Sequence, residues 1–317
     1  MSHGFSGLSE SLADIESPDN SGMTFVLEIA HIPELVVPGR RLGRHVLHDE
    51  RSKQYAVEAR STSTLRSVRH QRHVPIFDQG DLGSCTGNAA LGALGTGSLY
   101  DSVSSKGINF SEDTAISIYS AATRLDSFSG AYPPADTGSD GLSVAKALKN
   151  NGWISGYQHA LSLQAALTAL QTAPVIVGVD WYEGFDEPDS DGLVTLSGQA
   201  RGGHEFVLDG VDVDNKRVYA TNSWGESWGQ QGHFCFSWGD LSDLLSADGD
   251  VTVFVPLTQP APTPTPVPTP TPSLPGDAAD SALVAAMDPW EKTIVSRVTK
   301  AGKAKAAYDA WKAAKAL

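Results

Sequence analysis

Hydrophobic positions along the middle of the chain fall into two successive patterns. The first is helical. TGNAALGALGTGSLYDSV (86–103) is small and apolar enough for a helix buried on nearly all sides. SEDTAISIYSAATRL (111–125) opens on Ser111 followed by acidic residues, a capping signal, and reads as a second helix. GLSVAKALKNNG is a third, ending at Gly152, and QAALTALQTA a fourth, stopped by Pro174. From Pro174 onward the β signals take over. PVIVGVDW, HEFVLDGVDV, KRVYATNSW, GHFCFSW and DVTVFVP read as strands, with DVDNK as a hairpin turn. Helices first and an antiparallel sheet second make an α+β arrangement.

The flanks behave differently. Residues 258–276, TQPAPTPTPVPTPTPSLPG, alternate Pro with Thr and predict an extended spacer that cannot join a packed core. Beyond it, residues 277–317 read as about two short helices, broken at Pro289 and Gly302. Tyr308 and Trp311 stand one helical turn apart there. Forty residues are thin for an independent core, so this reads as a small module able to dock to a partner the sequence does not identify. The expected organisation is residues 1–73 as a polar segment and basic arm, 74–257 as the main domain, 258–276 as linker and 277–317 as the C-terminal module. No internal repeat is present.

Composition narrows the field. The chain has 317 residues, with 37 Asp plus Glu against 23 Lys plus Arg, for a net charge of −14. That charge argues against nucleic acid as a partner, because phosphate neutralisation needs clustered Lys and Arg. No apolar stretch approaches the ~20 residues of a membrane span. Residues 1–22 are polar and acidic, so no secretory signal is expected. Cytoplasmic or virion-associated is therefore the default location, with release by another route left open. Two cysteines, Cys85 and Cys235, make no disulfide scaffold. The charge is uneven: residues 74–257 hold seven basic and 23 acidic residues, while residues 40–73 hold nine basic and three acidic. The basic strip is either a docked arm, possible as a pro-segment, or a solvated one.

Candidate chemistry centres on VPIFDQGDLGSCTGNAALG, which places Cys85 after a Gly-rich turn and at the start of a buried helix. A helix N-terminus offers unpaired N–H groups and the positive end of a dipole, which stabilise a thiolate and an oxyanion. Gln79, six residues earlier, supplies a further side-chain N–H donor. Taken alone, such a cysteine is more often just a small buried hydrophobe. Downstream, His204 opens a strand behind two glycines and Asn222 ends the paired strand, so the two ends can approach. An Asn carbonyl holding one imidazole nitrogen would aim the other at a thiol, with Trp224 shielding the bond. Separately, His204 reads as an ordinary strand residue and Asn222 as an ordinary turn residue.

In chain order, however, the pieces resemble the papain-like cysteine peptidases. The matching elements are Gln79-Gly80, Gly83-Ser84-Cys85, Gly203-His204 and Asn222-Ser223-Trp224-Gly225, then Trp228-Gly229, over about residues 70–257. His204 lies 119 and Asn222 137 residues after Cys85, against roughly 130–150 quoted for such enzymes. The resemblance implies a two-lobed fold, an N-terminal helical lobe and a C-terminal antiparallel β lobe with the cleft between them. It implies a thiol endopeptidase that attacks through Cys85 paired with His204, forms an acyl-enzyme, and uses Asn222 to orient His204. Gln79 and the Cys85 N–H would hold the oxyanion. Gly83, Ser84, Asp140, Gly141, Gly203 and Trp224 would line the substrate, with no cofactor and no metal.

Several positions depart from the pattern. Leu82 stands where a disulfide cysteine is usual, Thr86 where an aromatic follows the nucleophile, Glu205 where a small residue follows the histidine, and Asp140 where one of two glycines is expected. These changes leave the triad intact and suit a microbial or viral branch, phage or bacterial, that lives without disulfides. The expected partner is a polypeptide or peptidoglycan-peptide substrate. Two rival functions remain: a cell-wall amide hydrolase or transpeptidase on the same thiolate, and a non-catalytic peptide-binding descendant. The acidic loop DEPDSDG (186–192) lacks the Glu a calcium loop needs, having Gly198 there, and reads as solvated. Cys235 reads as a buried strand residue, and His45, His48, His70 and His73 as surface residues.

Overall fold

The computed structural model describes residues 40–259 and Pro264, all within the unit Pro33–Leu317. Residues 1–39, nearly all of the Pro/Thr linker and the C-terminal module lie outside the described residues.

Four α-helices precede the main run of strands: α1 (Cys85–Leu94), α2 (Gly97–Val103), α3 (Glu112–Ala122) and α4 (Gly141–Asn150). The stretch expected to form one helix over 86–103 is two. Gly97 adopts φ +52°, a left-handed residue that halts α1 where Gly95 has already removed side-chain restraint. Every residue of α1 is buried, as its apolar composition requires, because it packs on α3, α4 and the sheet at once. Leu91, Leu94, Leu99, Ile118, Val144 and Leu148 form this helical core.

The sheet contains β1 (Val68–Arg69), β2 (Gly156–His159), β3 (Val175–Tyr182), β4 (Ala200–Asp212), β5 (Arg217–Thr221), β6 (His233–Ser237) and β7 (Asp250–Val255). Its order is β2-β7-β3-β4-β5-β6, with β1 added on β4, and every pairing is antiparallel. Alternation along β3 and β4 splits their side chains between two cores. Ile176 and Val207 enter the helical core, while Val175, Val177, Phe206 and Leu208 face the other. That second core adds α5 (Leu163–Ala169), α6 (Trp238–Ser246) and an aromatic cluster around Trp181, Phe185, Trp228, Phe234 and Phe236.

Three elements differ from the sequence reading. β2 is GYQH, with no apolar alternation; it forms because β7 offers an edge to pair with. β1 lies inside the basic strip. α6 follows directly on β6, and Ser237 caps it by accepting from the Asp240 N–H. Of the strip histidines, only His48 and His73 are exposed. His45 and His70 are half-buried and hydrogen-bond to the carbonyls of Thr137 and Leu170. The acidic loop is likewise partly tied in: Asp186 accepts from the Trp181 indole at 2.9 Å and pairs with Arg201 at 2.7 Å. Cys235 is a buried residue of β6, as expected.

Candidate active site

The turn Gln79–Ser84 is built from inside and outside. Ser84 ends it as the residue before α1, and its hydroxyl and carbonyl both accept from the Asn88 side-chain amide, at 3.1 and 3.2 Å. Gly83 donates its N–H to the carboxylate of Asp136, which also accepts from the Tyr119 hydroxyl at 2.7 Å. Cys85, the first residue of α1, is completely buried and in no disulfide. Gln79 joins this turn to the Asn222 loop. Its backbone N–H donates to the Ser223 carbonyl at 2.9 Å, and its side-chain oxygen accepts from the Ser223 hydroxyl at 2.7 Å.

His204 sits on β4 opposite Val179 and is fully buried. Its Nε2 lies 2.7 Å from Asn222 Oδ1, and that oxygen also accepts the Ser223 N–H at 2.8 Å. The second bond fixes which way the Asn222 amide faces. An acceptor-only oxygen therefore requires the proton on Nε2, leaving Nδ1 as the unprotonated nitrogen of the neutral ring. Nδ1 has no hydrogen-bond partner among the described residues. Trp224 stacks on the ring at 4.8 Å and Trp181 presents its edge at 5.0 Å. Burial pushes the His204 pKa down to about 4, partly opposed by the bond to Asn222.

Residues 40–45 form a strap that crosses between these two halves. The Arg41 N–H donates to Gly80, and the Arg41 carbonyl accepts from Gln79 Nε2 at 2.8 Å. Gly43 and Arg44 both donate to the Gly203 carbonyl, at 3.1 and 2.9 Å. Ser139 donates to Gly43, and its carbonyl accepts from His45 at 2.7 Å. Gly43 is backbone-to-backbone with Gly83, leaving no room for a Cβ. One residue thus touches both Gly83, two positions before Cys85, and Gly203, one before His204. That shared contact brings the two sequence segments to one place. Arg40 adds a cation–π contact over Trp224 at 5.4 Å.

Beside the strap, Arg44 drops its side chain, fully buried, into an acidic cavity. Its Nη2 pairs with Asp250 and donates to the Asp248 carbonyl at 2.8 Å. Glu205, wholly buried, stands close by: a Cβ on Gly178 would meet Glu205 Oε2 at 2.7 Å and Asp250 Oδ1 at 3.0 Å. Burial first, then Asp250, raises the Glu205 pKa well above the usual carboxylate range, while Arg44 opposes the rise. Burial works against the charge on Arg44, yet Asp250 and Glu205 together keep its pKa above the ordinary value.

The remaining sequence-derived positions divide in kind. Trp224 and Gly203 lie against His204 and the strap. Asp140 is spent on capping α4, accepting from the Ser143 N–H and hydroxyl, both at 2.8 Å. Gly141 backs on to the Glu205 cavity, and it is the backbone of Ser139 that meets the strap. Sequence reasoning did not find Arg44, Ser139, Asp136 or Asp250. Only Arg44 had a signal, the basic strip itself; the others lie far along the chain from the motifs they serve. Among the described residues there is no group of His, Cys, Asp and Glu suited to a metal ion, and no helix is long and apolar enough to cross a membrane.

No family model matches the sequence, and no curated protein does. Solved structures do match. Xylellain, a cysteine protease from Xylella fastidiosa, aligns with TM-score 0.54 at 16% identity, over 68% of this chain and 95% of that one. Digestive procathepsin L 3 from the larval midgut of Tenebrio molitor aligns more loosely, with TM-score 0.45 at 14% identity, over 64% of this chain and 74% of that one. With the helices and antiparallel sheet above, the first alignment places the chain in the papain-like fold, the α+β two-lobed architecture that its motifs implied.

Proposed function

We propose that the chain is a cysteine-type endopeptidase, with Cys85 as nucleophile, His204 as base and acid, and Asn222 as the group that orients His204. The observation that carries this reading is the 2.7 Å bond from His204 Nε2 to Asn222 Oδ1. It commits one imidazole nitrogen and leaves Nδ1 for a thiol. Cys85 supplies that thiol from the N-terminus of α1, where helix N–H groups favour the thiolate. In the reaction, the Cys85 thiolate attacks the peptide carbonyl and His204 protonates the leaving amine, which departs. Water, deprotonated by His204, then hydrolyses the acyl-enzyme and regenerates the thiol. The Gln79 amide and the Cys85 N–H hold the oxyanion.

The described form is closed. The Arg41 carbonyl takes one hydrogen of Gln79 Nε2 while the Leu82 carbonyl takes the other at 3.0 Å, and the strap lies over Gly203. With His204 buried and its pKa lowered, the ring stays neutral, which disfavours a thiolate–imidazolium pair. Residues 40–45 thus act as an inhibitory segment, and activity follows their release.

The test compares iodoacetamide alkylation of Cys85 near pH ~6 and hydrolysis of a denatured protein in the full chain and its Arg44→Glu, Cys85→Ala and His204→Ala variants. Arg44→Glu sets a carboxylate against Asp250 and is expected to loosen the strap. Hydrolysis by Arg44→Glu that vanishes with Cys85→Ala or His204→Ala supports the peptidase. Cys85 alkylated no faster than a small free thiol in the released form, with no peptide cleaved, overturns it. A peptidoglycan digest run alongside separates polypeptide from cell-wall substrates.

A further inference from the structure

The Arg44 cavity is more than a place for one ion pair. Glu205 on β4 and Asp250 on β7 stand beside Arg44 there, within electrostatic reach of Asp140 ahead of α4 and Asp180 on β3. Like charges gathered away from water are costly unless a cation joins them. Burial raises the pKa of Asp140 and Asp180 as well as that of Glu205. The cavity is also under-used. Both Glu205 oxygens, and Nε and Nη1 of Arg44, lack hydrogen bonds among the described residues although all are buried. Glu205 therefore acts on Arg44 through charge without a made contact. Gly141 and Gly178 line the cavity with bare backbone, because a Cβ at either would run into Glu205 and Asp250, and at Gly178 into Arg44 Nε as well.

We propose that this cavity is an arginine side-chain subsite of the cleft, selecting peptides that carry an arginine, and that Arg44 is its occupant in cis. The proposal rests on the peptidase reading in that it names which peptides the site takes. Three features favour a guanidinium over an apolar side chain. Nη2 already divides itself between a carboxylate and the Asp248 carbonyl, as a planar multi-donor group can. Glu205 stands on the same wall as Asp250, its two buried oxygens without hydrogen-bond donors among the described residues. An apolar side chain would strand Asp250 without a countercharge and leave Glu205 without a donor. The strap backbone meets Gly203 and Ser139 through main-chain bonds that carry no side-chain preference, so selectivity falls on the cavity.

Binding can be read without turnover. The full-length chain carrying Cys85→Ala and Arg44→Glu is titrated with a fluorescein-labelled peptide RRLGRHV, a copy of residues 40–46, and with the same peptide bearing Leu at the fifth position. Fluorescence anisotropy is expected to give at least tenfold tighter binding for the arginine peptide. Asp250→Asn in that background should cut the preference to under threefold, with circular dichroism confirming the fold. Equal affinities for the two peptides overturn the subsite. So does an arginine preference that Asp250→Asn leaves intact. Hydrolysis is scored separately in the Arg44→Glu chain: arginine-selective binding with no cleavage of any peptide keeps the subsite and removes the peptidase, while cleavage with no arginine preference does the reverse.

Discussion

The buried histidine makes a prediction that needs no assumption about substrate. His204 is fully buried between Trp181 and Trp224, with its pKa pushed down to about 4, against about 6.5 for an exposed imidazole. The folded value lies below the unfolded one, so protons favour the unfolded chain. The stabilisation from holding the ring neutral is present above pH about 6.5 and is lost as pH falls toward about 4. At about 1.36 kcal/mol per unit, the gap corresponds to about 3 kcal/mol in all, of which about 2.5 kcal/mol disappears between pH 7 and pH 4.5. Glu205, Asp140 and Asp180 have raised pKa values and titrate in the opposite sense. A whole-protein curve therefore mixes the two. Comparison with His204→Gln removes them, because they are common to both chains. Guanidinium chloride unfolding, followed by tryptophan fluorescence at pH 7 and pH 4.5, should show the wild type losing about 2.5 kcal/mol more than His204→Gln. Parallel losses in the two proteins would refute a neutral, desolvated His204.

Asn222→Ala strips the buried His204 Nε2–H of its acceptor, which costs about 1–3 kcal/mol. It should also lower kcat of the Arg44→Glu chain far more than KM, whereas a purely structural role would lower the midpoint of thermal unfolding and leave kcat per folded molecule alone. Cys235 lies in β6, and burial raises the pKa of its thiol. Cys235→Ala should leave hydrolysis unchanged and cost about 1 kcal/mol of stability, while mass spectrometry of the iodoacetamide-treated Arg44→Glu chain should find Cys85 labelled well ahead of Cys235.

Much of the fold was legible because its hydrophobic patterns are local. Helices α3 and α4 and strands β3 to β7 carry their own apolar pattern or capping signals, and they appear where those signals stand. What failed locally was decided by neighbours. The glycines at 95 and 97 sit inside an apolar run that looks continuous, and the left-handed Gly97 divides it. β2 has no strand signature and forms by pairing with β7. The candidate site was legible only as an order of motifs, since Cys85, His204 and Asn222 each read alone as ordinary residues; what the fold adds is the 2.7 Å approach of His204 Nε2 to Asn222 Oδ1. The acidic cavity left no comparable trace, because Asp140, Asp180, Glu205 and Asp250 are scattered across 111 positions of chain.

By itself the sequence determined the α+β order, the motif order that singles out Cys85, His204 and Asn222 as candidates, and the contrast between a basic strip and an acidic domain. Only the tertiary structure decided what that contrast does. Net charge fixes attraction between two segments without fixing a register, and composition allowed a solvated arm equally well. The register comes from short-range contacts: Gly43 fits against Gly83 because neither has a side chain, main-chain bonds lock Arg44 between Gly203 and Ser139, and the Arg44 side chain then reaches Asp250. Those contacts are non-local and steric, and that is why the arm's place in the cleft emerged from the folded chain alone.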